Sequence, residues 1–268
     1  MATGPATVRP VRKMKNLWRG GIATQFLRPF LYLTTPMRLI AAAVIALVLP
    51  QAARADDTPR RGGTLEFAST VEPGNYDCHG NTSFAFLHPV APHYSTLLKF
   101  DPANYPQIVG DLAQSWDVSS DRQTYTFKLR PNVLFHDGSR MTAVDVKASY
   151  ERIAHPPKSV ISSRLVDFGA ISGIDTPDPL TVVFHLQWPE AAMLANFASP
   201  WNCIYSAAKL AEDPQFPKTH ILGTGPFVFV EHVKGDHWSA KRWDKYIFSP
   251  GSRIWTAIRP ISWPRRRS

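Results

Sequence analysis

An uninterrupted apolar run from Leu39 to Leu49, ending at Pro50, decides which part of this 268-residue chain can join a globular fold. It is too short for the roughly 20 apolar residues that span a bilayer core. Basic residues precede it, Ala53-Arg54-Ala55 supplies a small-x-small cleavage site, and acidic Asp56-Asp57 follow. Residues 37–55 therefore read as the apolar and cleavage parts of a signal peptide, and residues 1–55 are set aside from the fold. The competing reading, a membrane anchor, fails on length, and no Cys near the cleavage point suggests lipid attachment. Met14 and Met37 stand as alternative starts. An exported chain can form disulfides. Cys78 and Cys203, 125 positions apart, are either a bonded pair or two separate buried thiols.

The formal charge of +9 would ordinarily invite a nucleic-acid reading. Its distribution removes that reading. Eight basic residues in 1–55 and five in 249–268, with no acid in either segment, leave 17 basic against all 21 acidic residues in 56–248, a net of −4. A mildly acidic body does not attract a phosphate backbone, so no nucleic-acid partner is expected.

The body has the patterning of a folded α/β domain. A first strand is expected over Arg61–Ala68 after a Gly-Gly entry. Tyr125, Phe127 and Leu129 alternate with Thr124, Thr126 and Lys128, the period of a half-buried strand, with a hairpin partner over Ser115–Val118. Thr142 and Asp145 have capping-box spacing, and Val146, Tyr150 and Ile153 follow on one face, giving a helix over Ala143–Ala154 that Pro156-Pro157 stops. Thr181–Leu186 reads as a strand, Pro189-Glu190 opens a helix carrying Met193, Leu194 and Phe197, and Phe227–Val230 reads as a strand. Short turns between strands imply antiparallel pairing.

Catalytic and metal-binding signatures are missing from the sequence. No H-x-x-x-H, C-x-x-C, G-x-S-x-G, G-x-G-x-x-G or P-loop occurs. His232 and His237 read as a solvated loop around a Gly-Asp turn. Gly223-Thr224-Gly225-Pro226 reads as a tight turn, because Pro226 removes a donor that a phosphate cradle needs. His136-Asp137 are neighbours on an Asp-Gly turn and make no dyad. No catalytic residue, metal or cofactor is assigned, and a secreted hydrolase ranks below a non-enzyme.

The ordered set Ala113-Gln114-Ser115-Trp116, Asp121, Tyr125-Thr126-Phe127, Leu129-Arg130, Val133, Phe135-His136-Asp137-Gly138 and Thr142-Ala143-x-Asp145-Val146 resembles the extracytoplasmic solute-binding proteins of peptide and nickel ABC importers, family 5. Glu72-Pro73-x-Asn75-Tyr76-Asp77, Gly223-Thr224-Gly225-Pro226-Phe227 and Lys241-Arg242 before Tyr246 extend the match over residues 61 to about 247. The resemblance implies a mixed-sheet, periplasmic-binding-protein type II-like clamp, represented here by the first lobe plus an extra subdomain, with the second lobe absent. Residues 56–95 would begin the lobe, 96–195 form the subdomain and 196–248 return to the lobe. It implies a monomer that takes a peptide or similar small ligand and delivers it to an ABC permease from the periplasm. By the same resemblance, ligand-facing positions are Asn81, Thr82, Trp201 and Asn202. A Trp beside an Asn offers stacking plus backbone-like hydrogen bonds, while the alternative is that Trp201 is core.

The family pattern stops after Tyr246, and residues 249–268 carry no acid and no clear periodicity. Shifting the reading frame at Trp255-Thr256 forces an Asp codon, and its neighbours can read Tyr-Leu-Asp-Gly-Tyr, a string similar to one the family carries at this point. The expectation is a frameshift near residues 247–251 that truncates a longer gene, leaving binding and stability impaired or an inert fragment.

Overall fold

The computed structural model describes residues 62–69 and 71–247, together with the backbone strand Ala257–Ser262. The signal-peptide reading of residues 1–55 falls outside the described residues.

The chain is mixed α/β, with largely antiparallel sheets. β1 (Thr64–Ser69) is followed by α1 (Phe84–Val90), which continues into a single 3-10 turn at Ala91–His93. β2 (Leu98–Phe100) and β3 (Ile108–Gly110) form a two-stranded antiparallel ribbon. Then come β4 (Ala113–Val118), β5 (Thr124–Leu129), α2 (Ala143–Ala154), β6 (Ile171–Asp178) and β7 (Thr181–Leu186). The short helices α3 (Met193–Phe197) and α4 (Ala207–Glu212) precede β8 (Phe227–Val233), β9 (His237–Arg242) and β10 (Ala257–Ser262).

One four-stranded sheet has the order β4-β5-β7-β6, antiparallel throughout. The alternation expected in β5 is what the strand uses: Tyr125, Phe127 and Leu129 are buried. They meet Phe184 of β7, Tyr150 and Ile153 of α2, Phe168 and Phe197 in one core. Phe197 is the hub, with ring centroids 4.7 Å from Phe184, 5.0 Å from Phe127 and 5.4 Å from Tyr150. Such tilted and edge-on pairs add attraction beyond the area they bury.

The bounds of α2 match the helix read from the sequence. Asp145 Oδ2 accepts from the Thr142 amide at 2.7 Å, so Asp serves in the place of the usual Glu. Its other oxygen accepts from the Ala207 amide at 2.8 Å and so fixes the start of α4. The helix expected from Pro189-Glu190 is shorter than that reading, since regular α-structure starts only at Met193.

The other four-stranded sheet has the order β1-β10-β9-β8, with β1 parallel to β10 and the remaining pairs antiparallel. β10 lies in the stretch where the sequence shows no periodicity. The Gly223–Pro226 segment joins this sheet to α1. A Cβ on Gly225 would stand 2.5 Å from the His93 carbonyl carbon, and one on Gly223 would stand 2.1 Å from the His93 oxygen. Close backbone approach, and not ligand cradling, explains these glycines.

Candidate functional site

Two segments far apart in sequence are stitched together by a disulfide between Cys78 and Cys203, with Cα atoms 6.0 Å apart. Of the alternatives left open by the sequence, the bonded pair is the one formed. The first segment is the loop 71–83 that enters α1, and the second is the stretch 198–206 between α3 and α4.

A buried polar network surrounds the bond. Arg152 of α2 makes a two-pronged ion pair with Asp77, Nη1 to Oδ1 at 3.1 Å and Nη2 to Oδ2 at 2.6 Å, both side chains being 3% exposed. Asp77 also accepts from the His79 amide at 3.1 Å and the Tyr205 hydroxyl at 3.2 Å. That hydroxyl accepts from the Cys78 amide at 2.8 Å. Burial alone would raise the Asp77 carboxyl, but the hydrogen bonds and charge of Arg152 hold it below the usual carboxylate range.

His79 donates from Nε2 to the Cys203 carbonyl at 2.9 Å and accepts from Arg152 at Nδ1. Burial, with Arg152 beside it, pushes its pKa down to about 4, so the ring is neutral. His93, which joins Phe227 O and Trp238 Nε1, is likewise pushed down to about 3 by burial. These histidines help hold the fold and stay uncharged near neutrality, each keeping a single ring N–H.

Beside the disulfide lies an open pocket of about 420 Å³ lined by Thr82, Phe84, Arg164, Asp167, Asn196 and Trp201, among others. Trp201 is buried, nearly parallel to Phe86 at 5.9 Å, and also reaches the pocket. The same residue thus belongs to the buried aromatic cluster and lines the pocket. The Arg164 guanidinium lies 5.1 Å from the Trp201 ring centroid and donates to the Asn81 carbonyl at 3.2 Å.

Of the four positions expected to face a ligand, Thr82 and Trp201 are brought together at this pocket. Asn81 and Asn202 stand behind it. Asn81 donates its amide to Asn75 Oδ1 and Asp77 O, which shapes the loop, and offers its carbonyl to Arg164. Asn202 is fully buried and donates to Asn196 O at 2.7 Å. Phe84, Arg164, Asp167 and Asn196 were not singled out by the sequence. The turn carrying Arg164 and Asp167 has no periodicity. Ser163 holds it there by donating to the His79 and Gly80 carbonyls, with Phe168 anchored in the aromatic core.

Among the described residues no group of His, Cys, Asp and Glu is arranged to hold a metal ion. His232 is less exposed than the solvated-loop reading expects: its side chain is 6% exposed and its Nδ1 lies 3.0 Å from the Tyr76 hydroxyl. His237 pairs with Glu231 and Asp236 on the neighbouring strand and turn.

Residues 107–254 match the bacterial extracellular solute-binding proteins, family 5, middle region. The glutathione-binding protein GsiB of Pectobacterium atrosepticum is 32% identical over 210 residues, which cover 78% of this chain and 38% of that protein. The binding protein AgaA from A. tumefaciens R10, solved with agropinic acid, superposes with a TM-score of 0.69 at 31% identity, covering 75% of this chain and 40% of that one. The ABC transporter-associated periplasmic binding protein DppA from Helicobacter pylori, solved with the peptide STSA, gives 0.68 at 27% identity, covering 78% and 44%. The chain thus spans about two fifths of the length of these relatives.

Proposed function

The chain belongs to the bacterial extracellular solute-binding proteins of family 5, and we propose that it serves as the substrate-binding component of an ABC importer, with short peptides as its ligand class. Residues 1–55 direct its export to the periplasm, where it binds without chemistry, as a monomer, and hands its ligand to a membrane permease. Residues 56–95 and 196–248 build one lobe and 96–195 an appended subdomain.

The observation that carries this reading is the pocket beside the Cys78–Cys203 bond, where Thr82 and Trp201 meet. Its mixture of an indole, an amide, hydroxyls and charged groups suits the main chain of a small peptide, since ligand sites combine apolar walls with a few convergent polar groups. Similarity to a glutathione-binding protein and to a binding protein solved with a peptide supports the ligand class.

Thermal unfolding of the protein with and without mixtures of di- and tripeptides tests it. A cooperative transition raised by peptide supports the reading. A cooperative transition that no peptide moves contradicts it.

A further inference from the structure

Three segments of chain meet at the open pocket, and each is tied to residues 77–81. Thr82 and Phe84 follow directly from that short loop. The turn carrying Arg164 and Asp167 is tied to it by Ser163, which donates from its amide to His79 O at 2.8 Å and from its hydroxyl to Gly80 O at 3.0 Å. The segment carrying Ser199 and Trp201 is joined to it by the Cys78–Cys203 bond and by His79 donating to Cys203 O at 2.9 Å. The bond stands four positions before Thr82 and two after Trp201, so it sets where both walls leave the interior.

Both cysteines are 0% exposed and pack with Phe86, Tyr94, Trp201 and Tyr205 in one buried cluster. Bonded sulfurs stand about 2 Å apart. Two thiol sulfurs need the wider separation of atoms that merely touch. In a close-packed interior that room comes from movement of the surrounding chain. Reduction therefore pushes Cys78 and Cys203 apart, and Thr82 and Trp201 move with them. The core around Phe127, Phe184 and Phe197 contains neither cysteine and does not share the displacement.

We propose that the Cys78–Cys203 bond is the positioning element of the pocket, so that solute affinity depends on redox state: the oxidised chain binds, and the reduced chain, still folded, binds weakly. This rests on the solute-binding reading above and adds a control to that site. A small dithiol is the reductant. Its thiolate attacks one cysteine sulfur, the other cysteine leaves as thiolate, and the reagent's second thiol displaces the first. Two electrons and two protons pass to the cysteines, and the reagent closes to its own disulfide. Because neither sulfur is exposed, the attack waits for the two walls to open. The coupling is reciprocal: the factor by which the bond raises solute affinity is the factor by which bound solute favours the bond.

Titration calorimetry with trialanine tests it on the oxidised full chain, on the chain reduced by excess dithiothreitol, and on the double variant Cys78→Ala with Cys203→Ala. The oxidised chain should bind about tenfold or more tighter than the reduced one. The variant should fall between them, since its walls are untethered without being pushed apart. In a buffer of dithiothreitol and its oxidised form, saturating trialanine should raise the dithiol-to-disulfide ratio at half-reduction by that same factor. Hydrogen exchange on the reduced chain should leave β5 and β7 protected while residues 71–83 and 198–206 open. Equal affinity of the oxidised and reduced chains, or a variant that binds like the oxidised chain, would overturn the positioning role while leaving solute binding intact. Loss of protection in β5 and β7 on reduction would make the bond a support of the whole fold and would also overturn that role. A folded, oxidised chain that does not bind trialanine would remove both readings.

Discussion

The sheet β4-β5-β7-β6 with its helix α2 is held by apolar side chains that come from a continuous stretch of chain. Tyr125, Phe127, Phe184, Tyr150, Phe168 and Phe197 interlock there. The region around the Cys78–Cys203 bond is held differently. Its two segments are joined across 125 positions of sequence, and the groups between them include a covalent bond, a buried ion pair to Arg152 of α2 and a neutral histidine. An aromatic core is indifferent to redox state and to pH. The disulfide region is sensitive to both, and the pocket lies beside that region.

The largest expected effect comes from breaking the buried ion pair. Arg152→Leu leaves the Asp77 carboxylate buried without its partner, and loss of one member of such a pair costs about 3–5 kcal/mol. Urea unfolding should read this loss. Hydrogen exchange should place the increased opening in the loop 71–83 and in residues 198–206 rather than in β5 and β7.

Phe197→Ala should cost about 3–4 kcal/mol by opening a cavity among five aromatic rings. Here exchange should rise first in β5 and β7, the reverse pattern. Converting Cys78 and Cys203 together to Ala should cost about 2–4 kcal/mol, with exchange again rising near the pocket. If the two cysteine replacements destabilise β5 as much as the loop, the two regions are one cooperative unit and the contrast drawn between them fails.

The smallest effect is that of pH. His79 and His93 have folded pKa values of about 4 and about 3, against the ordinary 6.5. Below 6.5 the unfolded chain binds protons that the folded rings do not, so stability is full above pH 6.5 and declines as pH falls toward 4. At pH 6 each ring should account for about 0.8 kcal/mol of loss relative to pH 7.5, under 2 kcal/mol for the pair. Asp77, whose pKa is lowered, adds a further loss only below its unfolded value near 4. Denaturant midpoints across this range check the direction; a midpoint that rises on acidification would contradict it.

The same contrast explains what the sequence revealed. α2 was legible because a cap, a 3.6-residue periodicity and a double-proline stop all lie within a short window. β5 and β7 were legible because alternation and β-branched content are local. The fold family was legible from an ordered set of motifs, most of them turns and caps. The site was legible only in part. Thr82 and Trp201 came from the family resemblance, whereas Arg164 lies in a turn whose place depends on Ser163 bonding across to His79 and Gly80. No window of sequence contains both partners. α1 went unread for a related reason: Pro89 lies inside it, and its apolar face packs on Trp201, more than a hundred residues away. The His232–Tyr76 contact is likewise invisible before the strands pair.

The most direct test of the account is to map amide chemical shifts of the labelled protein while trialanine is added. The account predicts shifts concentrated at Thr82, Phe84, Arg164, Asp167, Asn196 and Trp201, saturating together, with β5 and β7 unmoved. Saturable shifts centred elsewhere, or none in a folded sample, would contradict the claim that this pocket is where the protein meets its solute.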